Sequence, residues 1–139
     1  MAVTKGALMQ VFRDVVTISK TDADRNLVFG WASVAERDGI PVVDGEGDVI
    51  KAGTLEDAAY EFVLNFGEAN ERHAGPTVGR LVESMVFTPD KLELLGLAKD
   101  ALPVAWWTGF KLDPATFAKV KGGEYRAFSI EGTARRVAA

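Results

Sequence analysis

The stretch VFRDVVTISKTDADRNLVFGWASVA (residues 11–35) decides the fold, because two strand-like segments flank a polar turn within it. Residues 11–19 and 27–35 are rich in β-branched and aromatic side chains, which favour strands. Residues 20–26 are polar and turn-like. We therefore predict a long antiparallel hairpin, with Gly30 as a bulge or a bend in its second strand.

Three further segments beyond the hairpin have the composition of strands, namely residues 77–88, 105–112 and 125–137. In the second of these, Trp106 and Trp107 are adjacent, so they face opposite sides of a strand, and we expect one of them in the core. Residues 67–72 are polar, and we interpret them as a connection leading to His73.

Helices are predicted at three places. Residues 54–66 carry apolar side chains at helical spacing, with Thr54 as the N-cap. Thr88-Pro89 and Asp113-Pro114 each place a capping residue before a proline at the first helical position, which predicts helices to Leu95 and to Val120. The predicted apolar stripe of the first helix consists of Leu55, Ala59, Phe62, Val63 and Phe66.

The length of 139 residues and the composition, 47% hydrophobic and 26% charged, are those of an ordinary globular chain. We expect a single domain over residues 1–139. The order of strands and helices predicts an α+β fold with a bent, antiparallel, β-barrel-like core and two or three flanking helices.

Composition also disfavours several classes of function. The chain has no cysteine, which excludes disulfides and a cysteine nucleophile, and its one histidine makes a zinc site improbable. The net charge of −4 argues against nucleic acid as a partner. The sequence contains no run of about 18 apolar residues, so it predicts no membrane span. We expect no cofactor.

Ser129 and His73 are the candidate residues for nucleophilic catalysis. Strand alternation places Ser129 and Glu131 on one face and Phe128 and Ile130 on the other. His73 is the one imidazole available as a base near neutral pH. From position alone, an ordinary exposed serine and a surface histidine remain the commoner interpretations.

The segment Asp44-Gly45-Glu46-Gly47-Asp48 has two interpretations. Its three carboxylates are suited to a divalent metal ion, although the closing glutamate of a calcium loop is missing. A tight turn, with glycine supplying positive φ, is the favoured alternative.

Several segments, in this order along the chain, resemble the XkdF-type prohead protease family of tailed phages. The resemblance extends from about Val16 to Ala134. The matching segments are VFGWASVA (28–35), VVDGEGDVI (42–50), AAYEFVLNF (58–66), His73, LVESMVFTPDK (81–91), WWTGFKL (106–112) and FSIEGTA (128–134).

The resemblance implies kinship with the wider prohead protease and herpesvirus assemblin group. It implies a serine endopeptidase of capsid maturation that acts inside the procapsid, in the host cytoplasm. The implied substrates are the scaffold protein, a scaffold-like extension of the major capsid protein, and the protease itself. A homo-oligomer is also expected.

The catalytic residues that the resemblance implies are Ser129 as nucleophile and His73 as base. The third member stays open between Glu131, Asp48 and Glu83, and a dyad or a chain lacking its C-terminal part are further alternatives. A non-catalytic capsid-assembly module with the same fold is the rival function.

Overall fold

The computed structural model describes residues 9–37, 40–41, 48–49, 51–71, 74–135 and 137–138, with side chains described for 16–33, 51–70 and 77–127. The strands in these ranges are β1 (Met9–Asp22), β2 (Leu27–Arg37), β3 (Ile40–Pro41), β4 (Asp48–Val49), β5 (Glu68–Glu71), β6 (Ala74–Phe87), β7 (Val104–Leu112), β8 (Ala127–Arg135) and β9 (Val137–Ala138). The helices are α1 (Ala52–Asn65), α2 (Pro89–Leu94) and α3 (Pro114–Lys121).

The predicted hairpin is confirmed, because β1 and β2 pair antiparallel from Thr17↔Trp31 to Asp22↔Leu27. Its turn is fixed by Asp22, whose carboxylate accepts hydrogen bonds from the backbone and the side chain of Arg25. Asn26 has a φ of 57°, a conformation that asparagine tolerates better than most residues.

Gly30 lies where strands approach closely. A Cβ at this position would overlap the carbonyl oxygen of Thr17 on β1. On its other side, the hydroxyl of Thr108 donates a 2.9 Å hydrogen bond to the Gly30 carbonyl. The register of β1 shifts between Ile18 and Lys20, and such a bulge bends a strand. Glycine is therefore required by the close approach, while the bulge itself is in β1.

The strands form a seven-stranded sheet in the order β1-β8-β5-β6-β7-β2-β3, and β4 and β9 form a separate pair. All its pairings are antiparallel, and β1 pairs both with β8 over Met9–Thr17 and with β2. The predicted α+β class, with an antiparallel sheet and three helices among the described residues, is confirmed. The predicted barrel is not confirmed.

The core lies between α1 and one face of the sheet. Phe62 on α1 is fully buried, and its ring meets Trp106 and Phe110 of β7 edge to face. Of the two adjacent tryptophans, Trp106 is thus the core residue, as predicted, while Trp107 is half-buried on the other face.

The N-cap of helix α1 lies three residues before the predicted one. The N-cap is Lys51, which makes no side-chain capping bond, so the assignment of Thr54 as N-cap is wrong. Val63 and Phe66 are exposed, although both were predicted in the apolar stripe. The face of the helix that is buried includes Ala58 in their place. The residues of α1 buried against the sheet are Leu55, Ala58, Ala59 and Phe62.

The two shorter helices have the caps that the sequence predicts. Thr88 Oγ1 accepts a hydrogen bond from the Lys91 amide at 3.4 Å, and Asp113 Oδ1 accepts one from the Thr116 amide at 2.7 Å. In each helix a proline occupies the first turn. These signals are local, so tertiary structure does not override them.

The interpretation of residues 67–72 as a connection is wrong for most of the segment. Residues 68–71 form β5, which pairs with β6 on one side and with β8 on the other. The sequence EANE has little strand propensity, so its conformation is set by these pairings. Strand β5 joins the strand of Ser129 to the rest of the sheet.

Candidate active site

Ser129 lies on β8 and has a register partner on each side. Val15 of β1 is one partner, and Asn70 of β5 is the other. Asn70 in turn pairs with Thr77 of β6, so Ser129, Asn70 and Thr77 form a line across three strands, called here the Ser129 row. The side chain of Ser129 is outside the described part of the structure.

The register also shows which face of the sheet each β8 position occupies. Phe128 pairs with Val16 and Ile130 pairs with Ala69, and both partners are fully buried in the core. Register partners share a face, so the positions of Phe128 and Ile130 belong to the core face. Ser129 and Glu131 occupy positions on the opposite face, in agreement with the alternation of the sequence.

His73 lies outside the described residues, as does Arg72. Their neighbours in the chain are described, because Glu71 ends β5, Ala74 begins β6, and the two are register partners. The chain thus leaves the Ser129 row at Asn70 and reaches His73 three residues later.

The three candidates for the third catalytic residue lie at different places in the fold. Glu131 is two residues after Ser129 on β8, and Asp48 lies on β4, opposite Ala138 of β9. Glu83 lies on β6, six residues beyond Thr77, a separation of about 20 Å along an extended strand. Its carboxylate accepts a hydrogen bond from the indole of Trp107 at 3.2 Å. The strand geometry therefore places Glu83 far from the Ser129 row.

Asn70 is a polar residue of this region that the sequence did not single out. Its Oδ1 is buried and has no hydrogen-bond partner in the structure as described. The residue borders a cavity of about 300 Å³ that is also lined by Asn65, Phe66 and Glu68. The only sequence signal was the short alternation of Glu68, Ala69 and Asn70, which is too brief to predict a strand.

Glu68 is the charged residue of β5 whose side chain the structure describes, and it lies two residues before Asn70. Its carboxylate accepts hydrogen bonds from Thr77 Oγ1 at 2.9 Å and from the Arg80 guanidinium at 3.1 Å. Both partners lie on β6, so these contacts link β5 to β6 beside the Ser129 row. The Glu68 carboxylate is therefore already engaged in the folded protein.

A metal centre is the other chemistry considered for the chain. Among the residues that the structure describes, no cluster of three or more histidines or carboxylates is arranged to hold a metal ion. Asp44 and Glu46 lie outside those residues, so the predicted turn or metal loop stays a prediction.

Fold and register together define an α+β protein whose antiparallel sheet carries a serine on the face opposite its helix-packed core. The chain matches the family described as "Putative phage serine protease XkdF" over residues 14–138. Since this match covers most of the chain, the protein belongs to that family. The resemblance seen in the sequence is thereby confirmed at the level of the family.

Among curated proteins, the chain is similar to the "Uncharacterized protein YqbD" of Bacillus subtilis (strain 168), with 29% identity over 126 residues. The aligned region is 90% of this chain but 37% of that relative, so the chain spans little more than a third of the longer protein. No solved structure matches the chain. No helix in the described ranges has the length and apolar character needed to cross a bilayer.

Proposed function

We propose that this protein is a serine endopeptidase of phage capsid maturation, with Ser129 as nucleophile and His73 as general base. Its substrates would be the scaffold protein, a scaffold-like extension of the major capsid protein, and the enzyme itself. The reaction would take place inside the procapsid, in the cytoplasm of the host, and a homo-oligomer is part of the proposal. The family description, a serine protease of phages, supports the class of reaction.

The pairing of Ser129 with Asn70 is the observation that carries the proposal. The two Cα atoms of such a pair are about 5 Å apart. Three residues of chain span at most about 11 Å, which limits the separation of the Asn70 and His73 Cα atoms. The Cα atoms of Ser129 and His73 therefore lie within about 16 Å of each other, although 56 positions separate them in the sequence.

The proposed chemistry is acyl transfer in two steps. Ser129 Oγ forms a bond to the scissile carbonyl carbon while its proton passes to His73. The imidazolium then returns this proton to the leaving amine as the C–N bond breaks. In the second step, water loses a proton to His73 and attacks the acyl-enzyme, and the acid product leaves as Ser129 regains its proton.

Substrate binding as an extended strand is supported by the edge of β8. Residues 131–135 of β8 pair with β1 on one side, and no described strand pairs with them on the other. A strand edge without a strand partner is suited to adding a peptide strand through backbone hydrogen bonds. A peptide bound there would end close to Ser129, because β5 already occupies the position beside Ser129 and Ile130.

Two finer features belong to the same proposal. Glu131 would orient the imidazole as the third residue, with Asp48 as the alternative, whereas Glu83, the other residue named from the sequence, lies about 20 Å along β6 from the Ser129 row. A barrel-like core is supported by β1, which changes its partner from β8 to β2 near the bulge after Ile18.

Co-expression with the scaffold and major capsid proteins of the same phage tests the proposal. The wild-type chain should trim them, whereas Ser129→Ala and His73→Ala should not. Ser19→Ala, on the exposed part of β1, is the matched control and should process normally.

The other outcomes distinguish the rival functions. Processing by the Ser129→Ala and His73→Ala variants at the wild-type rate contradicts the Ser–His assignment. Loss of processing in EDTA would indicate a metal hydrolase built on Asp44, Glu46 and Asp48. If no version processes the substrates, but capsids assemble only when the chain is present, the protein is the non-catalytic capsid-assembly module.

A further inference from the structure

The side-chain oxygen of Asn70 is buried without a hydrogen-bond donor, and the residue borders a polar cavity. Within the described part of the chain, Asn70 Oδ1 has no partner. A buried acceptor of this kind has lost its hydration without compensation, so such atoms are rare in folded proteins. The cavity, of about 300 Å³, is lined by Asn65, Phe66, Glu68 and Asn70. A ligand in this cavity is therefore in a position to supply the donor.

The Asn70 amide is able to turn toward the cavity. The residue as a whole is only partly buried, although its oxygen is covered. The terminal torsion of asparagine is broad, so the amide rotates with little strain. Since Oδ1 makes no hydrogen bond where it lies, turning it toward the cavity breaks none. The oxygen is thus free to accept a hydrogen bond from a molecule in the cavity.

The cavity lies beside the proposed nucleophile position and the proposed peptide-binding edge. Asn70 is the register partner of Ser129, and the Cα atoms of such a pair are about 5 Å apart. Glu68 begins β5, next to the point where residues 131–135 of β8 lack a described strand partner on that side. A peptide strand added along residues 131–135 ends against this start of β5. The side chain at that end of the peptide therefore lies next to the cavity.

The charges at the cavity favour a neutral ligand. The Glu68 carboxylate accepts hydrogen bonds from the Arg80 guanidinium at 3.1 Å and from Thr77 Oγ1 at 2.9 Å. Because Arg80 compensates this charge, a bound cation would lose hydration without a free carboxylate to pair with. A bound carboxylate would lie beside Glu68 and would offer Asn70 Oδ1 no donor. Both charged classes of side chain are therefore disfavoured.

We propose that this cavity is the specificity pocket of the protease and takes the carboxamide side chain of a glutamine or asparagine in the substrate. The inference rests on the proposed function and adds a substrate class to it. A carboxamide has two N–H donors and a carbonyl acceptor, so it donates to Asn70 Oδ1 and accepts from the side-chain amide of Asn65. A cavity of about 300 Å³, at the lower end of the range for ligand pockets, is suited to one such side chain.

Titration of the isotope-labelled full chain with N-acetylglutamine methylamide, followed by NMR, tests the inference without a known cleavage site. The side-chain amide resonances of Asn70 and Asn65 should shift. The methionine and glutamate analogues have side chains of similar length that donate no hydrogen bond, so they should bind at least roughly tenfold more weakly. If no derivative shifts the Asn70 amide, the cavity takes no carboxamide and the inference is overturned.

Two substitutions of Asn70 test the role of its oxygen. Asn70→Leu should weaken binding of the glutamine derivative at least roughly tenfold, whereas Thr21→Leu, at an exposed position of β1, should bind like wild type. Asn70→Asp introduces a carboxylate, so N-acetyllysine methylamide should bind this variant more tightly than the glutamine derivative does. A change in packing alone would not reverse the order of the two ligands. Unchanged binding by Asn70→Leu contradicts the inference.

Urea unfolding gives an independent readout of the unpaired oxygen. Replacing a buried acceptor that has no partner with an apolar side chain of similar shape is nearly neutral or stabilising. The urea midpoint of Asn70→Leu should therefore equal or exceed that of wild type, and its binding is then measured on folded protein. A midpoint well below those of wild type and Thr21→Leu would show that the folded chain itself satisfies the oxygen, and the inference would fail.

Mass spectrometry of the cut ends in the co-expression assay separates this inference from the proposed function. Glutamine or asparagine should adjoin the cleaved bonds, and Asn70→Asp should move cleavage toward lysine. Cleavage that requires Ser129 but adjoins other residues overturns the inference and leaves the proposed function standing. If nothing is cleaved but the glutamine derivative still binds at Asn70, the proposed function fails while the carboxamide specificity of the cavity is supported.

Discussion

Truncation of Phe62 should remove much of the stability of the fold, because this side chain holds α1 on the sheet. Phe62 is 0% exposed, and its ring lies 5.5 Å from Trp106 and 6.3 Å from Phe110, both edge to face. Replacing a buried phenylalanine with alanine lowers the free energy of unfolding by about 3–5 kcal/mol. Two aromatic pairs, each contributing about 0.5–1.5 kcal/mol, place Phe62→Ala in the upper half of that range.

Urea unfolding followed by circular dichroism measures this loss. With an m value of about 2 kcal/mol/M, the midpoint should fall by about 2 M. Leu64→Ala is the matched control, since Leu64 lies on the same helix but is 77% exposed, and its effect should stay within about 0.5 kcal/mol. A loss below about 1 kcal/mol for Phe62→Ala, or equal losses for the two variants, would refute the packing of α1 described above.

Three further predictions concern the backbone and the surface. Gly30→Ala should destabilise the protein by about 1–3 kcal/mol in urea unfolding, because the new Cβ meets the Thr17 carbonyl, whereas Gly53→Ala, which meets nothing, should not destabilise it. Asp113→Ala should lower the free energy of unfolding by about 1 kcal/mol, and by more than Thr88→Ala does, because the capping bond of Thr88 is longer. Thermal unfolding measures both losses, and equal shifts of the midpoint would argue against this ranking. The hydrogen bond from the Arg25 side chain lowers the pKa of Asp22 in the folded protein. The stability that this carboxylate contributes is therefore complete above about pH 4, the pKa of an unfolded aspartate, and is lost as the pH falls through the lower pKa of the folded state. Asp22→Asn should therefore flatten the acid limb of the stability curve at low salt, and an unchanged limb would contradict this.

The parts of the fold that follow local rules could be predicted from the sequence. The β1–β2 hairpin follows from two β-branched segments around a polar turn, and α2 and α3 follow from Thr88-Pro89 and Asp113-Pro114. These signals depend on residues within one turn of each other. The start of α1 was not predictable in the same way, because Lys51 makes no side-chain capping bond.

The candidate site depends on long-range pairing, which the sequence does not contain in readable form. Strand β5 is stabilised by its pairing with β6 and β8 and not by the strand propensity of its own residues, so the sequence of residues 67–72 indicates a connection instead. Without β5, the register that sets Asn70 opposite Ser129 cannot be derived. The assignment of Ser129, His73 and Glu131 comes from alternation and family resemblance, and it stays a prediction, whereas the position of Asn70 opposite Ser129 follows only from the pairing of β5 with β8.

The proximity of the hydroxyl and the imidazole can be measured directly, because His73 is the one histidine in the chain and gives a single set of imidazole resonances. Ser129→Asp places a carboxylate at the nucleophile position, Ser129→Asn is its uncharged match, and Ser19→Asp places the same charge elsewhere. If the two residues are adjacent, the pH midpoint of the imidazole in Ser129→Asp should lie about one pH unit or more above those of the other two variants. The same midpoint in all three would show that Ser129 and His73 are apart and would contradict the catalytic pair.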